Sequence, residues 1–143
     1  SVGFKLILLR MISTTNAIRF NYLAVLGCGL GYVLAPKQTM DSFGSTHANY
    51  TSDQGLLCLQ WCAQGCFALA FVLMAVAQVD FKAQKKVLQY LMVAQFYALY
   101  LTLKAHPAIG QEIPWGGVIL NGISIALAIV ACYVSPAPKK KDA

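Results

Sequence analysis

The chain is short of charge. Of its 143 residues only 11% are Asp, Glu, Lys or Arg, against about 25% in an ordinary soluble domain. Hydrophobic residues make up 58%, and mean hydropathy is +0.60. That scarcity argues against a disordered chain, a nucleic-acid tail and a soluble globular domain. An integral membrane protein is the class that remains. The net charge of +6 does not point to nucleic acid, because the basic residues sit at the ends of apolar runs rather than among aromatics on one face. Anionic lipid headgroups are their natural partners.

Chemistry-bearing patterns are missing too. Five cysteines occur, Cys28, Cys58, Cys62, Cys66 and Cys132, and no two are spaced as Cys-x-x-Cys. This removes the redox pair of vitamin-K-reductase-like and disulfide-generating tetraspan enzymes. The two histidines, His47 and His106, are not paired inside apolar runs as a transmembrane bis-haem protein requires. The carboxylates Asp41, Asp53, Asp80, Glu112 and Asp142 all lie outside those runs. Pumps and ion-coupled transporters keep an ionisable group at depth, and intramembrane acid–base chemistry needs one as well. The reading is therefore non-enzymatic. Polar–apolar alternation with a period of two, the mark of a membrane β-barrel, is absent as well.

What the chain does have is four uncharged apolar runs, residues 20–36, 54–79, 87–103 and 113–138. A bilayer core of about 30 Å takes roughly 20 helical residues. Arg19, Lys37, Lys85, Lys86 and Lys104 can snorkel and so lengthen the two short runs. The expectation is a single all-α domain over residues 1–143, a four-helix transmembrane bundle with spans near 18–36, 54–79, 84–105 and 114–134. Residues 2–12 are apolar but too short to cross and carry Lys5 and Arg10. They read as a short interfacial N-terminal segment, or as the remnant of a targeting sequence.

Local signals place the ends. Asn16 is a candidate N-cap for the first span; Thr51, Ser52 and Asp53 offer N-cap oxygens for the second, and Thr51 with Gln54 has capping-box spacing. Pro36 stops the first span and Pro107 the third. Pro114 suits the first turn of the fourth, and Ser135-Pro136-Ala137-Pro138 ends it. Trp115 and Tyr133 bracket the fourth as interfacial anchors. Residues 37–53 read as a loop. Nine basic residues, Lys5, Arg10, Arg19, Lys82, Lys85, Lys86, Lys139, Lys140 and Lys141, fall on one side of such a bundle, and two, Lys37 and Lys104, on the other. The positive-inside rule then puts both termini on the cis side.

Candidate site residues are uncharged polar groups at depth. Gln60, Gln64, Gln95, Asn121 and Ser124, with Asn21 near an end, could line a pocket or act as amide ligands to pigment; interhelical hydrogen bonding is the plain alternative. His106 could ligate an interfacial chlorophyll magnesium, or simply occupy the interface. Tyr90, Phe96, Tyr97 and Tyr100 could stack on a carotenoid or chlorin, or face lipid. Cys58, Cys62 and Cys66 share a helix face; soft-metal ligation there would bury thiolates without a cationic neighbour, so close helix contact is the simpler reading. No metal site is expected. Gly27 with Gly31 forms one GxxxG, Gly122, Ala126 and Val130 form a ridge on the fourth span, and Ser124 with Ala128 forms another. Each is a candidate for close helix approach.

The run Gly29-Leu30-Gly31-Tyr32-Val33-Leu34-Ala35-Pro36, then Phe43-Gly44, then Asp53-Gln54-Gly55-Leu56-Leu57, resembles small uncharacterised tetraspan proteins of the DoxX-like kind, over the first two spans. The resemblance implies four helices and assigns no catalytic residue. The Arg-free, Cys- and Gln-rich second span departs from that pattern. On these grounds the expected function is a non-catalytic accessory subunit of a large energy-transducing complex, a photosystem–antenna supercomplex in the chloroplast thylakoid. Its partners would be other membrane subunits and lipids, with chlorophyll a, carotenoid and lipid as possible cofactors. An accessory subunit of a respiratory complex in the mitochondrial inner membrane is one alternative. A small-molecule or lipid transporter or binding protein is the other, and it requires a cavity among the helices.

Overall fold

The computed structural model describes residues 12–42, 52–108 and 112–135. All regular structure among the described residues is helical, in the order α1 (Thr14–Leu34), α2 (Pro36–Ser42), α3 (Asp53–Val76), α4 (Phe81–Ala108) and α5 (Trp115–Ile129). A π-helical turn, Val130–Val134, continues α5. The interfacial segment expected over residues 2–12 lies, apart from Ile12, outside the described residues, as do His47, the Phe43-Gly44 pair, Thr51 and the lysine tail.

Among the described residues three helices are long and apolar enough to cross a membrane: Thr14–Leu34, Asp53–Val76 and Trp115–Val134. They are compatible with an integral membrane protein. Helix α4, expected as a span over 84–105, has 28 residues and so the length. Its basic start at Lys82, Lys85 and Lys86, its three glutamines at 84, 89 and 95 and its three tyrosines dilute its apolar character, and it is not one of the three.

The helix ends have local causes. Ser13, not Asn16, caps α1: its Oγ accepts from the Asn16 backbone N–H at 3.1 Å. A cap must precede the first turn, and Asn16 already lies within it. Ser52 caps α3 by accepting from Gly55 N at 3.1 Å. Asp80 starts α4 earlier than the apolar pattern indicates, because its Oδ1 accepts from Lys82 N at 2.8 Å and Ala83 N at 3.1 Å. Pro114 precedes the first turn of α5 instead of sitting within it.

Residues 36–42 are not loop. Pro36 does end α1, but it also opens α2, since a proline's missing N–H and fixed φ suit a first helical position. Lys37 and Asp41 pair across one turn at 2.7 Å. This short helix folds back on its predecessor so closely that a Cβ added at Gly31 would meet Thr39 Oγ1 at 2.6 Å. At its far end the Ser42 carbonyl oxygen would lie 2.9 Å from a Cβ on Gly116. Thus α2 bridges the end of α1 and the start of α5.

The bonded pairs set the directions. Thr14 meets Gln84 and Asn21 meets Gln95, so α1 and α4 run parallel. Ser124 meets both Asn21 and Gln95, and Cys132 approaches the Lys85 carbonyl, so α5 runs against both. Helix α3 lies chiefly on α1 and barely touches α4. The core of Ala17, Ile18, Leu73, Leu88, Met92, Ala128, Ala131 and Cys132 gathers at one end, where α1 and α4 begin and α3 and α5 finish.

That end is closed by a polar knot. Gln84 Oε1 accepts from Thr14 Oγ1 at 2.6 Å and Thr15 Oγ1 at 3.0 Å, while its Nε2 donates to the carbonyls of Ala77 at 3.1 Å and Val79 at 3.0 Å. One side chain thereby ties the start of α1 to carbonyls left over at the end of α3. Ser135 Oγ donates to the Ile12 carbonyl at 2.5 Å.

The small-residue stripes are used differently from the sequence expectation. Gly27 and Gly122 have nothing within 4 Å of an added Cβ, and Ala126 is exposed. The glycine at the α1–α3 contact is Gly29, where a Cβ would meet the Phe67 ring at 2.9 Å and Cys66 Cβ at 3.1 Å. Ser124 and Ala128, the other α5 ridge, are buried.

Candidate functional site: a polar cavity between the helices

Above the closed end the helices enclose a cavity of about 320 Å³. Helix α1 supplies Asn21, Ala24, Val25, Cys28 and Tyr32; α5 supplies Gly117, Leu120, Asn121 and Ser124; Cys66 comes from α3 and Gln95 from α4. The volume lies at the lower end of the range for small-molecule pockets. Among the described residues no Asp, Glu, Lys, Arg or His lines it.

Three side chains from three helices form one side of it. Their hydrogen bonds can be assigned from a fixed starting point. The Ala17 carbonyl can only accept, so the Asn21 group at 2.9 Å is the Nδ2 donor. Asn21 Oδ1 therefore faces α4 and α5. It accepts from Gln95 Nε2 at 2.7 Å and from Ser124 Oγ at 2.5 Å. Gln95 Nε2 also lies 2.7 Å from Ser124 Oγ, so the three groups close a tight triangle. Gln95 Oε1 is left over: it is closed off from water and has no partner. A buried acceptor without a donor is uncommon and is costly in a low-dielectric interior. Across the space, Asn121 is oriented by an Nδ2 bond to the Gly117 carbonyl at 2.9 Å.

Of the residues singled out in the sequence, Gln95 lines this cavity, joined by Asn21, Asn121 and Ser124. Gln60 and Gln64 do not. Both are exposed on the outside of α3, and neither hydrogen-bonds to a described residue. His106 is half-buried near the far end of α4, three helical turns beyond Gln95, and its Nδ1 is buried without a partner. The aromatic group Tyr90, Phe96, Tyr97 and Tyr100 is exposed on the outer face of α4; Lys104 donates to the Tyr100 hydroxyl at 2.9 Å. The cysteine stripe divides: Cys66 faces Gly29 and the cavity, while Cys58 and Cys62 are exposed. Among the described residues no three His, Cys, Asp or Glu groups gather as a metal site would need.

Sequence reasoning missed Tyr32 and Cys28 as lining residues and Gln84 as the tie at the closed end. Gln84 sits in a basic turn that reads as solvated surface. Its one available signal is the pair of hydroxyls at Thr14 and Thr15, at the same expected membrane depth. Compared with known protein families, curated proteins and solved structures, the chain matches none.

Proposed function

We propose that this is a four-span, non-catalytic membrane protein whose bundle cavity binds a small, neutral molecule carrying a hydrogen-bond donor. The unpaired Gln95 Oε1 beside the cavity carries the reading. Gln95 Oε1 is sealed while the cavity is empty, so a ligand's donor pairs with it once the Gln95 side chain shifts to present that oxygen to the space; Asn121 and Tyr32 offer further polar contacts. The uncharged lining favours a neutral ligand, since an ion there would lose its hydration without a counter-charge. Ala24, Val25 and Leu120 suit an apolar body, so a lipid alcohol is the ligand class that fits best. In this reading α4 makes the fourth crossing: it runs along α1 and α5, and its outward tyrosines and Phe96 meet lipid. The basic residues then place both termini on the cis side, as four crossings require.

The test compares farnesol with farnesyl methyl ether, which has the same skeleton and no donor. Farnesol is expected to raise the unfolding temperature of the detergent-purified protein by several degrees at saturation. The ether is expected to bind at least tenfold more weakly, and Gln95→Met to erase the difference between the two. Equal effects of the two compounds on the wild-type protein, or no effect of either, would sink the proposal.

A second reading keeps the protein as an accessory subunit of a photosystem–antenna assembly in the thylakoid membrane. The outward aromatics of α4 support it, with chlorophyll a or carotenoid as the bound molecule. An absorption spectrum of the protein purified from its native membrane decides this: pigment bands favour the assembly, and their absence leaves the lipid-binding reading.

A further inference from the structure

The outer face of α3 is polar in the one place where a lipid-facing helix should not be. Gln64 lies at the midpoint of this 24-residue helix, and Gln60 lies one turn away, about 6 Å along the axis. Both are exposed, and neither hydrogen-bonds to a described residue. In a spanning helix this puts a bare carboxamide at the centre of the bilayer, where only another polar group can satisfy it.

Gln64 lies within a continuous exposed face. Leu57, Trp61, Gln64, Ala68, Phe71 and Ala75 follow one another at spacings of four, three, four, three and four residues. All six are exposed. This is the a/d repeat of a coiled-coil seam, sustained along nearly the whole helix. It lies opposite Leu59, Ala63, Ala70 and Leu73, through which α3 packs on its own bundle.

We propose that this seam pairs α3 with α3 of a second copy of the chain, with Gln64 of each copy hydrogen-bonding to the other. The occupant follows from the chemistry. A carboxamide is both donor and acceptor, so it is its own complement. A two-fold axis along the membrane normal brings the same residue of both copies to the same depth, and the helix midpoint is the depth at which the pair gains most. Ala68 and Ala75 let the two helices approach closely. The face carries no fixed charge that would call for a partner of opposite sign. A single polar position within an apolar seam also fixes register, as it does in soluble coiled coils.

The experiment uses the full chain, fluorescently labelled and reconstituted in phosphatidylcholine vesicles at decreasing protein-to-lipid ratio. Stoichiometry is read by single-molecule photobleaching. The wild type is expected to give two-step traces that fall to one step on dilution. Gln64→Leu should raise the dimer dissociation constant at least tenfold, and Gln64→Asn should restore most of the association. Because Gln64 is exposed and makes no hydrogen bond to a described residue, helicity and unfolding should not change in either variant, which separates lost pairing from lost folding. A wild type that stays monomeric at every ratio, or a dimer unmoved by Gln64→Leu, would overturn the proposal.

Discussion

Two regions of the bundle use the same chemistry to opposite ends. At the closed end Gln84 makes four hydrogen bonds and keeps no capacity in reserve. In the cavity the Gln95 amide nitrogen bonds Asn21 and Ser124, and its oxygen is an unused acceptor. Both glutamines lie on α4, eleven residues apart. The residue type therefore says little about role; what separates a fastening from a binding site is whether the local hydrogen bonding closes on itself. Around Gln84 the neighbours are buried core, with Ile18, Leu73 and Leu88 fully enclosed. Around Gln95 there is open space.

The contrast can be broken most decisively at the closed end. Gln84→Leu leaves two threonine hydroxyls and two carbonyls without a partner, and is expected to cost about 3 kcal/mol. Reversible unfolding in mixed detergent measures it; a loss below about 1 kcal/mol would mean the knot is not an anchor. Next in size is the α1–α3 contact. Gly29→Leu forces a side chain into Phe67 and Cys66 and should cost about 1–3 kcal/mol, while Gly27→Leu, facing open space, should change little. Equal losses in the two would place the close approach elsewhere. Gln95→Leu should cost about 1 kcal/mol, clearly less than Gln84→Leu, because it removes an unsatisfied acceptor along with two bonds and Ser124 still donates to Asn21. If it costs as much as Gln84→Leu, the two glutamines play the same part and the contrast fails. Gly122→Ala is the smallest effect: within about 0.5 kcal/mol of neutral, or slightly stabilising through helix propensity.

How far the sequence reaches follows the same division. The helical class and the approximate extents of α1, α3 and α5 are legible because a long uncharged run has few structural options. The helix starts are legible only where a cap is unambiguous: Ser13 and Asp80 hid behind Asn16 and behind the apolar pattern of α4. Residues 36–42 read as loop because Lys37, Asp41 and two small polar residues look solvated, although the ion pair across one turn supports a helix. The cavity was half visible. Gln95, Asn121 and Ser124 could be named, but Gln60 and Gln64 could not be told from them. A helix apolar on every side carries no amphipathic signal that distinguishes inside from outside, and only packing makes that choice. The glycines were read in part for the same reason: of the GxxxG pair Gly31 meets Thr39 of α2 and Gly27 faces open space, whereas the glycine that meets Phe67 lies between the two.

The wide turn at the end of α5 has a consequence of its own. Ser135 N reaches back five residues to the Val130 carbonyl at 2.8 Å, so the chain there takes in one residue more than an ordinary turn holds. That extra residue turns everything after it by about 100° around the axis. Tyr133 is thereby carried round to α4, where its hydroxyl accepts from Gln89 at 3.1 Å and its ring lies 5.3 Å beneath the Lys85 ammonium. Removing a single residue from 130–134 would swing the tyrosine away from both and send the departing chain off in a new direction, with every helix upstream left as it was.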